Sequence, residues 1–223
     1  MVNRDLPPPQ GLYDPRFEHD SCGVGFVVDM QGRKSRHLVE QALSALCNLN
    51  HRGAAGAEPD TGDGAGILVQ IPDALFRAVA PFDLPPEGEY ATGMAFLPPD
   101  DADTTADEVE KVLVDEGFTV LGWRVVPIAA DVPGASAREV LPAIRQVFVA
   151  KAGLADDALE RHVYAARKRI EHATDAYFPS LSSRVVVYKG MLTPGQLAPF
   201  YGDLGDERLE SALCLVHSRF STI

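Results

Sequence analysis

A short β-branched run, Gly-Val-Gly-Phe-Val-Val-Asp at residues 23–29, stands directly behind a thiol, Cys22, and ends at the turn signal Met30-Gln31-Gly32-Arg33. Such a run reads as a buried strand, so the core opens with a cysteine at or beside the first residue of a strand. Glycines at 23 and 25 let another backbone or a substrate come close at that point. Ser35 then caps an expected helix whose apolar positions Leu38, Val39, Ala42, Leu46 and Leu49 recur at helical spacing, with Gly53 as its stop after His51 and Arg52. Cys47 falls next to this stripe and reads as packing.

The Gly-rich stretch from Gly53 to Gly66 leads into a second expected strand, Ile67–Ile71, and Pro72 opens a short helix through Ala80. Further strands are expected at Ala91–Leu97, Thr119–Ile128, Arg184–Tyr188 and Ala212–Val216. Helices fit Thr105–Glu116 and Asp156–Thr174, where Leu159, Val163, Ala166 and Ile170 share one face. The order of elements gives α/β or α+β and no closer choice.

With 223 residues, 46% of them hydrophobic and 23% charged, the chain has the composition of a soluble globular protein. No apolar run approaches the roughly 20 residues of a membrane span. The net charge is −12 and the basic residues are scattered, so neither nucleic acid nor a membrane is an expected partner. Three cysteines, without a CxxC pair, suit a reducing compartment and a cytoplasmic location. Residues 1–21 hold three consecutive prolines and several acidic groups but no apolar segment, so they are not a secretory signal.

Two short patterns fail on inspection. Gly62-Asp63-Gly64-Ala65-Gly66-Ile67 has Ile67 where a dinucleotide loop needs its third glycine, and the glycines precede a strand instead of following one. Asp101, Asp103 and Asp107 suggest a calcium loop, but Ala106 and Val112 replace its glycine and bidentate glutamate. The six histidines lie apart, without a metal-binding spacing, so no metal site is expected.

At Cys22 two readings stand side by side. A free cysteine is often simply a buried packing residue. If residues 1–21 were removed as a propeptide, however, Cys22 would carry a free α-amine with a pKa of roughly 8, able to accept and return a proton beside its own thiol. Nucleophile and base would then occupy one residue.

Four ordered blocks carry a resemblance: Gly11–Phe26 (GLYDPRFEHDSCGVGF), Leu49–Pro72 (LNHRGAAGAEPDTGDGAGILVQIP), Ser182–Leu192 (SSRVVVYKGML) and His217–Thr222 (HSRFST). Together they resemble the N-terminal class II glutamine amidotransferase domain of the large subunit of bacterial-type glutamate synthases. The resemblance implies an α+β fold of the N-terminal-nucleophile hydrolase type, a four-layer αββα sandwich with two stacked sheets between helical layers. It implies a propeptide over residues 1–21 and the amidotransferase region over 22–223. Cys22 would attack the glutamine side-chain amide, and Arg219 would hold the glutamine α-carboxylate through a bidentate guanidinium clamp. Ser218 and Thr222 would line the same pocket.

For the parent protein the resemblance implies glutamine hydrolysis to glutamate and ammonia, and use of that ammonia to make glutamate from 2-oxoglutarate. The partners would be L-glutamine, the remaining synthase domains and a small electron-donating subunit. FMN and an iron–sulfur cluster are implied for the parent and no cofactor for this chain. The family continues past HSRFST with Asn, an Asn-Gly pair that supplies the oxyanion hole, and further strands, whereas here the sequence ends at Ile223. The expectation is therefore a sandwich incomplete at its C-terminus and an isolated chain without glutaminase activity. Two alternatives are a non-catalytic binding or regulatory module derived from an amidotransferase, and the amidotransferase domain of another synthetase.

Overall fold

The computed structural model describes residues 10–11, 23–50, 58 and 60–218. The run behind Cys22 forms strand β1 (Gly23–Val28), and Ser35 caps helix α1 (Arg36–Asn48) as the sequence predicts, with its hydroxyl accepting from Leu38 N at 3.3 Å. The helix stops at Asn48, with Leu49 at its C-terminal cap, ahead of the expected Gly53, which lies outside the described residues. Then follow β2 (Ala65–Gln70), α2 (Asp73–Val79) immediately after Pro72, β3 (Tyr90–Leu97), α3 (Ala102–Asp115) and β4 (Thr119–Val125). The expected extension of β4 to Ile128 is broken at Val126-Pro127, and Ile128 makes only an isolated bridge to Tyr201.

The remaining elements are α4 (Ala135–Glu139), β5 (Ala143–Ala150), α5 (Asp156–Ala173), β6 (Tyr177–Ser182), β7 (Val185–Gly190), α6 (Leu197–Phe200) and β8 (Leu213–Ser218). Strands β5 and β6 go beyond the sequence reading. In β5 the polar pair Arg145-Gln146 interrupts the apolar pattern. In β6 Pro179 argues against a strand, yet β6 sits at a sheet edge, where a missing N–H is tolerated, and the β3 register slips between Met94 and Phe96 beside it.

Two antiparallel sheets result, in the orders β1-β8-β2-β7 and β4-β5-β3-β6. With the helices they make an α+β fold, the class that the resemblance implies and one of the two that the order of elements leaves open. Both faces of the second sheet are buried. Ala91, Ala95, Val147 and Val149 meet the apolar stripes of α3 and α5, including Leu159, Val163, Ala166 and Ile170. Tyr90, Met94, Ile144 and Phe148 join one continuous core with α1, α2 and the first sheet. The first sheet is asymmetric. Its residues Val27, Cys214, Val216, Ile67, Val69, Val186 and Tyr188 point into that core, whereas Val24, Phe26, Val28, Leu213 and Leu215 on the other face are exposed.

A buried ion pair ties the two sheets. The Arg124 guanidinium on β4 donates to both carboxylate oxygens of Asp203, and Asp203 also accepts from Tyr188 Oη on β7 at 2.9 Å. Arg124 Nε donates to Gln146 Oε1 on β5 at 2.7 Å, and its guanidinium lies 5.6 Å from the centre of the Phe76 ring. Burial, followed by the Asp203 charge, holds the Tyr188 phenol well above its ordinary range.

Candidate functional site

The sequence reading places its chemistry at the start of β1 and the end of β8, and these two ends are neighbours. β1 and β8 pair antiparallel with Gly23 opposite Ser218, and β8 pairs with β2 with Ser218 opposite Ala65. Ala65 in turn faces Gly190 on β7. One cross-strand row therefore reads Gly23, Ser218, Ala65, Gly190. The predicted residues Cys22, Arg219 and Thr222 lie outside the described residues. Cys22 is bonded to Gly23 and Arg219 to Ser218, so two of the three are covalent neighbours of a register pair.

Ser218 itself is fully buried, and among the described residues its hydroxyl has no hydrogen-bond partner. It points to the core face of the sheet, where the next row is Gly25, Val216 and Ile67, all without side-chain donors or acceptors.

The adjacent row, Val24, His217, Gly66, Lys189, points to the opposite face. Gly66 has no side chain for a steric reason: a Cβ there would lie 2.3 Å from His217 Cε1 and 2.8 Å from Lys189 Cβ. The half-buried His217 imidazole thus occupies the space over Gly66 on β2, beside Lys189. Burial first, and the Lys189 charge second, lower its pKa, so it is neutral near pH 7. The sequence shows His217 only as a letter in HSRFST; its partners come from two other strands and carry no local signal.

The connection between α1 and β2 is anchored at its described end. Glu58 accepts from Thr61 Oγ1 at 2.7 Å and from Ser136 N at 3.1 Å, and these bonds hold its carboxyl below the ordinary range. Gly134 N donates to Asp60 O at 2.9 Å, and Gln196 Nε2 donates to the carbonyls of Asp60 and Val132. Gly62 packs so closely that a Cβ would lie 2.4 Å from Leu192 O. Gly62 thus serves close packing against Leu192 and Thr193.

The other two cysteines differ from each other. Cys214 is fully buried in β8, and burial pushes its thiol up to about 11 against a weaker opposing hydrogen bond from Ser211. Cys47 corrects the packing expectation: it is exposed, with Sγ 4.0 Å from Pro194 O. One residue along a helix is a turn of about 100°, enough to carry Cys47 off the buried face formed by Leu38, Val39, Ala42 and Leu46. Asp101, Asp103 and Asp107 do not converge either; Asp103 pairs with Arg145 at 2.7 Å. Among the described residues no group of three His, Cys, Asp or Glu side chains could hold a metal, so neither a metal nor an iron–sulfur cluster has a donor set there. No helix among them is long and apolar enough to cross a membrane. A separate apolar cleft of about 300 Å³, between Phe96, Leu141, Tyr177 and Met191, does not include Ser218.

A family model described as class-II glutamine amidotransferases matches residues 22–223. The chain is 45% identical over 232 residues to the glutamate synthase [NADPH] large chain of Bacillus subtilis, covering all of this chain and 15% of that protein. It is 44% identical over 222 residues to the chloroplastic ferredoxin-dependent glutamate synthase of Oryza sativa, covering 92% of this chain and 14% of the relative. The glutamate synthase [NADPH] large chain of Azospirillum brasilense is 40% identical over 222 residues, with 94% of this chain and 15% of the relative covered. The chain thus spans about 15% of the length of these curated relatives.

Proposed function

The chain belongs to the class-II glutamine amidotransferases, and from that premise we propose that Cys22 hydrolyses the side-chain amide of L-glutamine once residues 1–21 have been removed as a propeptide. The α-amine released on Cys22 takes the thiol proton, and the thiolate sulfur attacks the amide carbon. Collapse of the tetrahedral adduct breaks the C–N bond, the amine returns its proton to the leaving nitrogen, and ammonia departs from a glutamyl thioester. Water, deprotonated by the same amine, then attacks the thioester and releases glutamate and the thiol. Arg219 holds the substrate α-carboxylate through two charge-assisted hydrogen bonds and so fixes the distal amide. Thr222 lines the pocket beside it.

The observation that supports this reading is the register pair Gly23 and Ser218, which makes the two residues with the assigned chemistry chain neighbours of one row. At the level of a longer protein, the proposal is that the ammonia aminates 2-oxoglutarate reductively in other domains, which carry the FMN and the iron–sulfur cluster. Relatives named for NADPH and for ferredoxin leave both electron donors compatible with this sequence. A cytoplasmic, reducing setting fits the free thiols Cys47 and Cys214.

The test uses the full-length gene product. Cys22→Ala should abolish glutamine-dependent glutamate formation while synthesis from added ammonia persists, because ammonia bypasses the hydrolytic step. Equal loss of both activities, or glutamine-dependent turnover that survives the substitution, would remove Cys22 from the role.

A further inference from the structure

The last four residues of the SSRVVVYKGML block, Lys189–Leu192, have no part in the proposed hydrolysis, yet all four line the apolar cleft of about 300 Å³. Phe96 on β3 and Ile144 on β5 come from the other sheet and Ala137 from α4, so rigid elements hold the cleft open and it is pre-formed for a ligand. Its floor is buried, with Ile144, Leu192 and Phe200, whereas Val140, Tyr177 and Met191 at its mouth are exposed. Large apolar side chains exposed around a concavity mark a surface that gains by being covered.

Polarity is confined to one end. Among the lining side chains only Tyr177 and Lys189 carry polar hydrogens. The Lys189 ammonium donates to Tyr177 Oη and lies 4.8 Å from the centre of that ring. Because the phenol oxygen accepts there, its own hydrogen is turned away from Lys189, and among the described residues it meets no acceptor. The cleft therefore offers a hydrocarbon volume with one O–H donor at its edge and a cation beside that donor.

This chemistry does not suit the reactants of the proposed function. L-Glutamine and 2-oxoglutarate are polar at both ends, and either would set an unpaired amide or carboxylate against hydrocarbon. A molecule with an apolar body and a single anionic group avoids that mismatch. We propose that the cleft is a binding site for a small carboxylic acid with an aromatic or branched aliphatic body, whose carboxylate accepts from Tyr177 Oη beside the Lys189 ammonium. The bond is charge-assisted, and the body displaces water from Ile144, Leu192 and Phe200.

Titration calorimetry and ligand-observed NMR on the full-length gene product test it, with 4-phenylbutyrate as the probe and 4-phenylbutyramide as its uncharged match. The acid should saturate with a Kd of about 1 mM or tighter. The amide should bind about tenfold more weakly, and excess L-glutamine should not displace the acid. Tyr177→Phe removes only the O–H and should weaken binding of the acid about tenfold. Met191→Trp fills the mouth with an indole and should abolish it; should that variant not fold, Tyr177→Phe and the comparison of acid with amide still decide.

No saturable binding up to about 10 mM would overturn the proposal, the result expected if a second copy or another stretch of the chain fills the cleft. Equal affinity for acid and amide, or affinity for the acid unchanged in either folded variant, would overturn it as well. Displacement by L-glutamine would place the probe in the glutamine pocket and have the same consequence.

Discussion

Replacing Asp203 by Asn keeps the shape of the side chain and removes only its charge, which makes it a clean perturbation of the strut between the sheets. Arg124 and Asp203 are almost wholly buried, with side-chain exposures of 6% and 3%, so solvent cannot screen the guanidinium that remains. Breaking a buried pair from one side costs about 3–5 kcal/mol. Two features place the Asn variant at the lower end, near 3 kcal/mol. Its amide oxygen can still accept from Tyr188, and the guanidinium keeps its contact with the Phe76 ring and its bond to Gln146. For a domain of this size each kcal/mol is about 2–4 °C, so the thermal midpoint should fall by about 6–12 °C. Urea denaturation followed by circular dichroism gives the free energy directly. The double variant Arg124→Met, Asp203→Leu, with no buried charge left, should lie closer to the wild type than Asp203→Asn, although Gln146 then loses the Arg124 donor and Tyr188 its Asp203 acceptor. A loss below about 1 kcal/mol in Asp203→Asn, or a double variant less stable than the single, would refute the view that an uncompensated buried charge dominates at this strut.

Thiol chemistry separates the three cysteines. On the native full-length protein, iodoacetamide should modify exposed Cys47 readily and Cys214 only in denaturant, whereas a glutamine-mimicking electrophile should label Cys22; peptide mapping that finds the mimic on Cys47 with Cys22 unmodified would contradict the nucleophile assignment. Gly66→Ala should cost about 1–3 kcal/mol, because the new methyl overlaps the His217 ring and Lys189 Cβ, and His217→Ala in the same chain should recover part of it; an unchanged urea midpoint would disprove the close contact. Stability should fall as pH rises from about 9 to 11, where the unfolded chain has lost the Cys214 proton and the folded chain, with its thiol near 11, still holds it. That contribution is at most about 1.4 kcal/mol per pH unit, and Cys214→Ala should flatten the slope; equal slopes in the two proteins would show that the thiol titrates alike in both states.

What the sequence made legible was local. Ser35 as a cap, Pro72 before a helix, and the stripe Leu159, Val163, Ala166 and Ile170 each act within one or two turns of chain, and each appears in the structure where the spacing puts it. Strand β1 was legible for the same reason. Cys47 was not, because its side chain is decided by an angle of one residue about the helix axis and by what the 194–196 segment covers, neither of which its own neighbours encode. Strand β6 hid behind Pro179, whose cost depends on whether the strand has a neighbour on that side. Glu160, which accepts from Ser182 and from the backbone and hydroxyl of Ser183, fixes the corner into β7 from a helix that the sequence shows only as an amphipathic stripe.

The same distinction runs through the candidate site. HSRFST and the segment after Cys22 were legible as motifs, but nothing in either states that Ser218 and Gly23 share a row, or that Gly66 is vacant because His217 lies across it. Those are properties of pairings among β1, β8 and β2, and a pairing has no period to read. Strand β5 illustrates the point most sharply. Arg145 and Gln146 disguised it by breaking the apolar run, yet Gln146 faces the core between the sheets because Arg124 needs an acceptor there, and Arg145, on the face that α3 and α5 cover, meets Asp103 on α3. The residues that look like exceptions to the strand pattern are the ones whose partners lie elsewhere in the chain. The polar letters that obscure secondary structure in this sequence are therefore where its tertiary contacts are concentrated.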